Sequence, residues 1–232
     1  MEQREFTHHA DGEALSCTTF TPVGAVRPER VVIMHGAGAG SKQRNLPLAR
    51  EFAEAGFHAL AFDFSGHGQS TGELPALSLE RRFVQARSVV AEFAPDGPLV
   101  LVGFSMSGQT IADLVGELGP RVATVVLGAP AAYAAEAWKL PFGAGFTEIL
   151  RTPRSWAASP VFDTYAAFAG RAVLVVPEHD AVIPPEVTAR IEAALAERAQ
   201  LTRLTFPGSE HILGGWLADH PADRRQVVQH CL

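Results

Sequence analysis

Five compact apolar runs, each followed or preceded by a segment of helical periodicity, constrain the fold most. They are Arg30–Met34, His58–Phe62 and residues 99–102, 122–127 and 172–176. All are rich in Val, Leu and Ile, the pattern of strands buried on both faces of a parallel sheet. Between them, Leu79, Phe83, Ala86, Val90 and Phe93 recur every three or four residues, and a helix with that stripe covers one sheet face. Leu48, Phe52 and Ala53 repeat the pattern, as do Val187, Ile191 and Leu195. Ser78 precedes one helix as an N-cap, and Pro184 and Pro185 open another. Right-handed crossovers then give a mostly parallel α/β sheet with helices on both faces. The start of the chain departs from this rhythm. Residues 4–9 and 15–21 flank Asp11-Gly12 and read as an antiparallel hairpin at the sheet edge.

The chain has 232 residues, 47% of them apolar, and no internal repeat, which suits one domain of about 200–250 residues. Its net charge of −6 argues against nucleic acid as a partner, because phosphate binding needs a basic stripe. Arg81, Arg82 and Arg87 read as the solvated face of a helix. The polar start Met1-Glu2-Gln3-Arg4 lacks the apolar core of a signal peptide, and no run approaches the roughly 18 apolar residues of a membrane span. Two lone thiols, Cys17 and Cys231, suggest a reducing compartment. A cytoplasmic location is therefore expected, and nothing in the sequence fixes an oligomeric state.

Residues 131–170 carry 8 of the 19 aromatic residues and no good strand. A disordered linker would not use aromatics this way. The segment reads as a short helical cap inserted over the carboxyl edge of the sheet, where open α/β folds bind ligands. The core is then residues 1–130 and 171–232. Trp138, Phe142 and Phe146 from the insertion, with Trp216 near the end of the chain, are the candidate substrate-binding rings. Lys139, Arg151 and Arg154 are candidates to meet an anionic substrate, against the plainer reading of three solvated charges.

The turn "MHGAGAGSKQ", residues 34–43, follows the first apolar run. It is not a phosphate-cradling G-x-x-x-x-G-K-[ST] loop, since counting from Gly36 puts Ser41 at the required glycine and Gln43 at the required hydroxyl; Lys42 fits by chance. The dinucleotide pattern G-x-G-x-x-G fails as well. A turn of small residues with exposed N–H groups suits a transient oxyanion instead. That needs a nucleophile. Leu99-Val100-Leu101-Val102 leads into Gly103-Phe104-Ser105-Met106-Ser107-Gly108 and then a helical pattern, the strand–turn–helix context of a nucleophile elbow with Ser105 at its tip. Ser107 stands where the G-x-S-x-G pattern has glycine.

With these motifs the chain resembles the α/β-hydrolase superfamily over nearly its whole length. "HGAGAG" is similar to that family's oxyanion turn, "DFSGHGQS" (residues 63–70) to its D-x-x-G-x-G-x-S loop, and "GFSMSG" to its elbow. The resemblance implies a Ser–acid–His triad in that chain order, with the N–H groups of Ala37 and Met106 as oxyanion donors. Asp180 matches the acid position in Pro177-Glu178-His179-Asp180-Ala181-Val182-Ile183-Pro184, with Glu178 its local rival, and His211 follows the last apolar strand as the base. His35 and His67 are implied to bond loop backbone. No H-E-x-x-H or paired Cys/His spacing exists, so neither metal nor cofactor is expected. The expected activity is hydrolysis of a small to medium apolar or aromatic carboxylic ester, a small-molecule acyl substrate. The rival within the same chemistry is a thioesterase or acyltransferase on a CoA- or carrier-bound acyl group. The rival of another class is a non-hydrolytic binder or lyase on the same scaffold.

Overall fold

A computed structural model describes residues 1–232. Eight strands form one sheet: β1 (Glu2–Ala10), β2 (Glu13–Thr21), β3 (Arg30–Met34), β4 (His58–Phe62), β5 (Leu99–Phe104), β6 (Val122–Gly128), β7 (Arg171–His179) and β8 (Gln200–Glu210). Their spatial order is β1-β2-β4-β3-β5-β6-β7-β8. The β1–β2 hairpin and the β2–β4 pair are antiparallel; every other pair is parallel. Asp11 (φ 55°) and Gly12 (φ 76°) turn the hairpin, and two consecutive positive φ angles match the twist of the strands they join.

Side chains alternate across the sheet. Val32 and Met34 of β3 enter one buried cluster and Val31 and Ile33 the other, as Leu174 and Val173 of β7 do. The first cluster is closed by α2 (Leu79–Phe93), α3 (Ser107–Leu118) and α6 (Pro185–Ala196), the second by α1 (Leu46–Glu54), α7 (Leu213–Asp219) and α8 (Pro221–Gln229). Each fully buried Val or Leu in these layers contributes about 1.5–3 kcal/mol, so a two-sided sheet rewards runs with no polar alternation. Ser78 caps α2 by accepting from the Arg81 N–H at 3.1 Å. β7 and β8 outrun their apolar stretches by several residues, because His179 pairs with Glu210 beyond a bulge.

Between β6 and β7 lie only short helical pieces, among them α4 (Phe146–Arg151) and α5 (Val161–Ala167). Phe162, Tyr165 and Phe168 sink into the first core, and the Tyr165 hydroxyl donates to the Gly108 carbonyl at 2.6 Å. No helix of the chain is long and apolar enough to cross a membrane.

One expectation changes. Arg82 is not solvated; it is fully buried. It shares a helix face with Leu79, Ala86 and Val89, whereas Phe83, which the stripe had included, is only partly buried. Lys42, whose match to the phosphate-loop pattern is by chance, has a structural partner. It is 1% exposed and its ammonium pairs with Asp63 at 3.2 Å. After β8 the chain forms α7 and α8, broken between His220 and Pro221, where proline has no N–H to continue α7.

Candidate active site

β5 delivers Ser105 into a turn with φ 51°, a left-handed conformation that costs a residue with a side chain about 1–3 kcal/mol. The surroundings hold it there. The Ser105 N–H donates to the Gly128 carbonyl at 2.8 Å, and the Ser105 carbonyl accepts from Gly108 at 2.9 Å and Ala131 at 3.0 Å. Glycine flanks are required by space: a Cβ on Gly103 would lie 2.8 Å from that of Ser107, and one on Gly108 2.8 Å from that of Pro130.

Asp180 follows the end of β7. One carboxylate oxygen accepts from the Val182 and Ile183 N–H groups at 2.8 and 2.9 Å. The other lies 3.0 Å from His211 Nδ1. His211 follows β8, and its Nε2 lies 3.0 Å from the Ser105 hydroxyl. A carboxylate only accepts, so Nδ1 carries the ring hydrogen and Nε2 accepts from Ser105. The row Asp180, His211, Ser105 joins three strand ends. Glu178 stands apart, accepting from the Gly208 N–H at 2.6 Å.

The turn after β3 lies against Ser105, since a Cβ on Gly36 would sit 3.2 Å from that of Ser105. The His35 ring is neutral: Nε2 accepts from the Phe64 N–H at 3.1 Å, and Nδ1 therefore donates to the Gly36 carbonyl. Burial drives its pKa well below the usual histidine value, with Arg82 adding to the effect. His67 donates from Nδ1 to the Ser65 carbonyl, and burial lowers its pKa too. The N–H groups of Ala37 and Met106 donate to no atom of the chain.

A cavity of about 340 Å³ opens beside Ser105. Gly36, Ala37, Phe104, Val182, His211 and Ile212 are among the residues that line it, with Arg44 its one permanently charged side chain. None of the four expected substrate rings lines this cavity, although Phe146 packs on Met106 beside it. Trp138 donates from its indole to Asp113 at 3.1 Å, and Phe142 packs on Phe146 in a tilted pair 4.6 Å between centroids. Phe146 packs with Leu79, Met106 and Ala137. Trp216 stacks on His220 at 3.7 Å and donates to Asp223 at 2.7 Å. Each ring has found an intramolecular partner, which aromatic content alone does not reveal. Lys139, Arg151 and Arg154 do not line the cavity either; Arg44, from the turn's own continuation, does. Arg82 and Arg44 are what the sequence reading missed, and the only signal for the first was its place one turn from Leu79 on the buried stripe.

Under the short helices between β6 and β7 lies a second cavity of about 240 Å³, lined by Gln109, Asp113, Tyr133 and Trp138 among others. Burial raises the Asp113 carboxyl to about 6, against opposing hydrogen bonds from Trp138 and Gln109. A carboxyl whose pKa is higher folded than unfolded stabilises the fold most below about 3.8, and that stability is lost as pH rises toward 6. Asp113→Asn is therefore expected to unfold about 2–5 °C above wild type at pH 7.5, the gap closing by pH 4. Calorimetry at both pH values checks this; an unchanged gap refutes it.

The sheet order, the strained strand–helix elbow and the hydrogen-bonded row at its tip define an α/β hydrolase. The family model for serine aminopeptidase S33 (Hydrolase_4) matches residues 27–166, and the chain belongs to that family. Human monoglyceride lipase is 32% identical over 126 residues, which cover 53% of this chain and 41% of the lipase. The chain spans less than half the length of the curated relatives it matches, 28% in the shortest case. Among solved structures, the thioesterase domain from the curacin biosynthetic pathway aligns with a TM-score of 0.74 at 15% identity, over 99% of this chain and 100% of that one. An esterase from Pyrococcus furiosus aligns with a TM-score of 0.71 at 16% identity, over 99% and 91%. At such identities these two establish shared fold only.

Proposed function

We propose that the protein is a serine hydrolase of carboxylic esters in which Ser105 is the nucleophile, His211 the base, Asp180 its orienting acid, and residues 131–170 a cap. The observation that carries this reading is the unbroken row with both links at 3.0 Å. His211 Nε2 takes the Ser105 proton as Oγ bonds to the ester carbon. The carbonyl oxygen becomes an oxyanion against the free N–H groups of Ala37 and Met106. It collapses as the bond to the leaving alkoxide breaks, and the imidazolium gives that alkoxide its proton. Water, deprotonated by the same imidazole, then attacks the acyl-enzyme and releases the acid and free Ser105. Asp180 holds the Nδ1–H tautomer and stabilises the imidazolium. Phe104, Val182, Ile212 and Leu213 give the cavity apolar walls that suit a small to medium acyl group.

A second reading, thioester hydrolysis on an anionic carrier, is favoured by Arg44 on the cavity wall. Matched oxygen esters, thioesters and amides of one acyl chain separate the two, and the oxygen ester is expected to give the highest kcat/KM. A fluorophosphonate probe is expected to add one mass label, on the peptide bearing Ser105, and to react far more slowly with His211→Ala. An unlabelled, folded wild type leaves a non-hydrolytic binder as the correct reading.

A further inference from the structure

Arg82 is fully buried and touches none of the reacting groups of that chemistry. Its guanidinium lies 3.7 Å from the centre of the Phe64 ring, with Nε and Nη1 unpartnered. Burial lowers its pKa to about 9, so it remains charged at neutral pH, and no carboxylate contributes to that value. Such a cation destabilises the fold relative to an apolar side chain of similar size. Its one bonded nitrogen, Nη2, makes two contacts: 2.8 Å to the His35 carbonyl and 2.8 Å to the Ser107 hydroxyl. Ser107, where the elbow pattern has glycine, itself donates to the same His35 carbonyl at 2.7 Å. One backbone oxygen thus ties α2, the start of α3 and the turn after β3 together.

That oxygen stands at the root of the turn that carries Ala37. In a trans peptide the carbonyl and the next N–H point in opposite directions. The His35 carbonyl is drawn into the core by Arg82 and Ser107, and the Gly36 carbonyl is drawn to the His35 ring. The Ala37 N–H, on the far side of the Gly36 carbonyl, then faces away from that ring and keeps no partner. We propose that Arg82 and Ser107 are positioning residues that act through the His35 carbonyl to hold the Ala37 N–H where the oxyanion forms. This rests on the reading of Ser105 as nucleophile. Both residues lie behind the turn and neither lines the cavity, so their effect falls on the transition state and not on substrate binding.

The test uses Arg82→Met, Ser107→Gly and Ser107→Ala in the full chain, with active sites counted by the end point of phosphonate labelling. Per active site, kcat for a chromogenic butyrate ester is expected to fall about 10–100-fold in Arg82→Met and about 10-fold in either Ser107 variant, part of the 10²–10³ lost with a whole oxyanion donor. KM stays within about twofold, and Ki for a trifluoromethyl ketone, which forms a tetrahedral adduct, rises in step with the loss in kcat/KM. Arg82→Met is expected to melt no lower than wild type, whereas a merely structural arginine would lower Tm and leave kcat per site unchanged. Should Arg82→Met not fold, the Ser107 variants decide, since they remove only a hydroxyl or a hydroxymethyl group. Unchanged kcat per site in both positions, with Ser105→Ala inactive, overturns the positioning role alone. Full activity in Ser105→Ala overturns the nucleophile and this proposal with it.

Discussion

Ser105→Ala is expected to lower kcat for a chromogenic ester by about 10⁴–10⁶, the loss seen when a serine hydrolase loses its nucleophile. The side chain's hydrogen bond is the one to His211, so the alanine protein should fold normally. Alanine tolerates the strained φ of 51° as poorly as serine does, and Tm should stay within about 2 °C. On the proposed mechanism, the activity that remains is expected to come from binding and from the Ala37 and Met106 N–H groups, which the substitution leaves alone. His211→Ala should cost a similar factor, and the double variant little more, because the two side chains act as one unit. Initial rates corrected for background hydrolysis check this. A loss below about 10²-fold would mean that another group attacks the ester.

Asp63→Ala is expected to cost the fold about 3–5 kcal/mol, which in a chain of this size lowers Tm by roughly 8–15 °C. Asp63 is 1% exposed and accepts from the Lys42 N–H at 2.6 Å, the Lys42 ammonium at 3.2 Å and the Gln69 N–H at 3.1 Å. Removing it leaves a buried ammonium held only by the Ser16 hydroxyl at 2.7 Å and the Gln69 side-chain oxygen at 2.8 Å. Replacing both partners, as Lys42→Met with Asp63→Leu, should recover only the part of the loss due to the stranded charge, since the Lys42 and Gln69 N–H groups still lack their acceptor. Urea unfolding of the single and double variants measures the coupling, and a single-variant loss under 1 kcal/mol refutes the account. The pair also ties the turn after β3, which lines the cavity, to the loop after β4, so the single variant should lose ester turnover before it unfolds.

The central strands were legible because a strand buried on both faces leaves an unbroken apolar run, and β3 and β4 match their runs residue for residue. Ser105 was legible for a local reason as well: strand, tight turn and helix are adjacent in sequence. Asp180 and His211 needed the family resemblance, since nothing in either loop alone points to the other. Arg82 misled because an arginine on a helix is usually solvated, and only its neighbours show that its face is turned inward. The aromatic insertion gave no sign of which surface its rings would face. Its rings satisfy one another and the core, while the cavity beside Ser105 is built from the turn after β3 and the segment around His211.

The sequence by itself determined the layered α/β architecture, the places of the strands and the chemistry available at each loop, because these depend on periodicity and on turn residues within a few positions. The tertiary structure decided which loops meet, which cation is buried, and which side chains wall the cavity. Those outcomes depend on strand order, which brings residues 105, 180 and 211 to one edge, and on the competition of distant side chains for the same buried space.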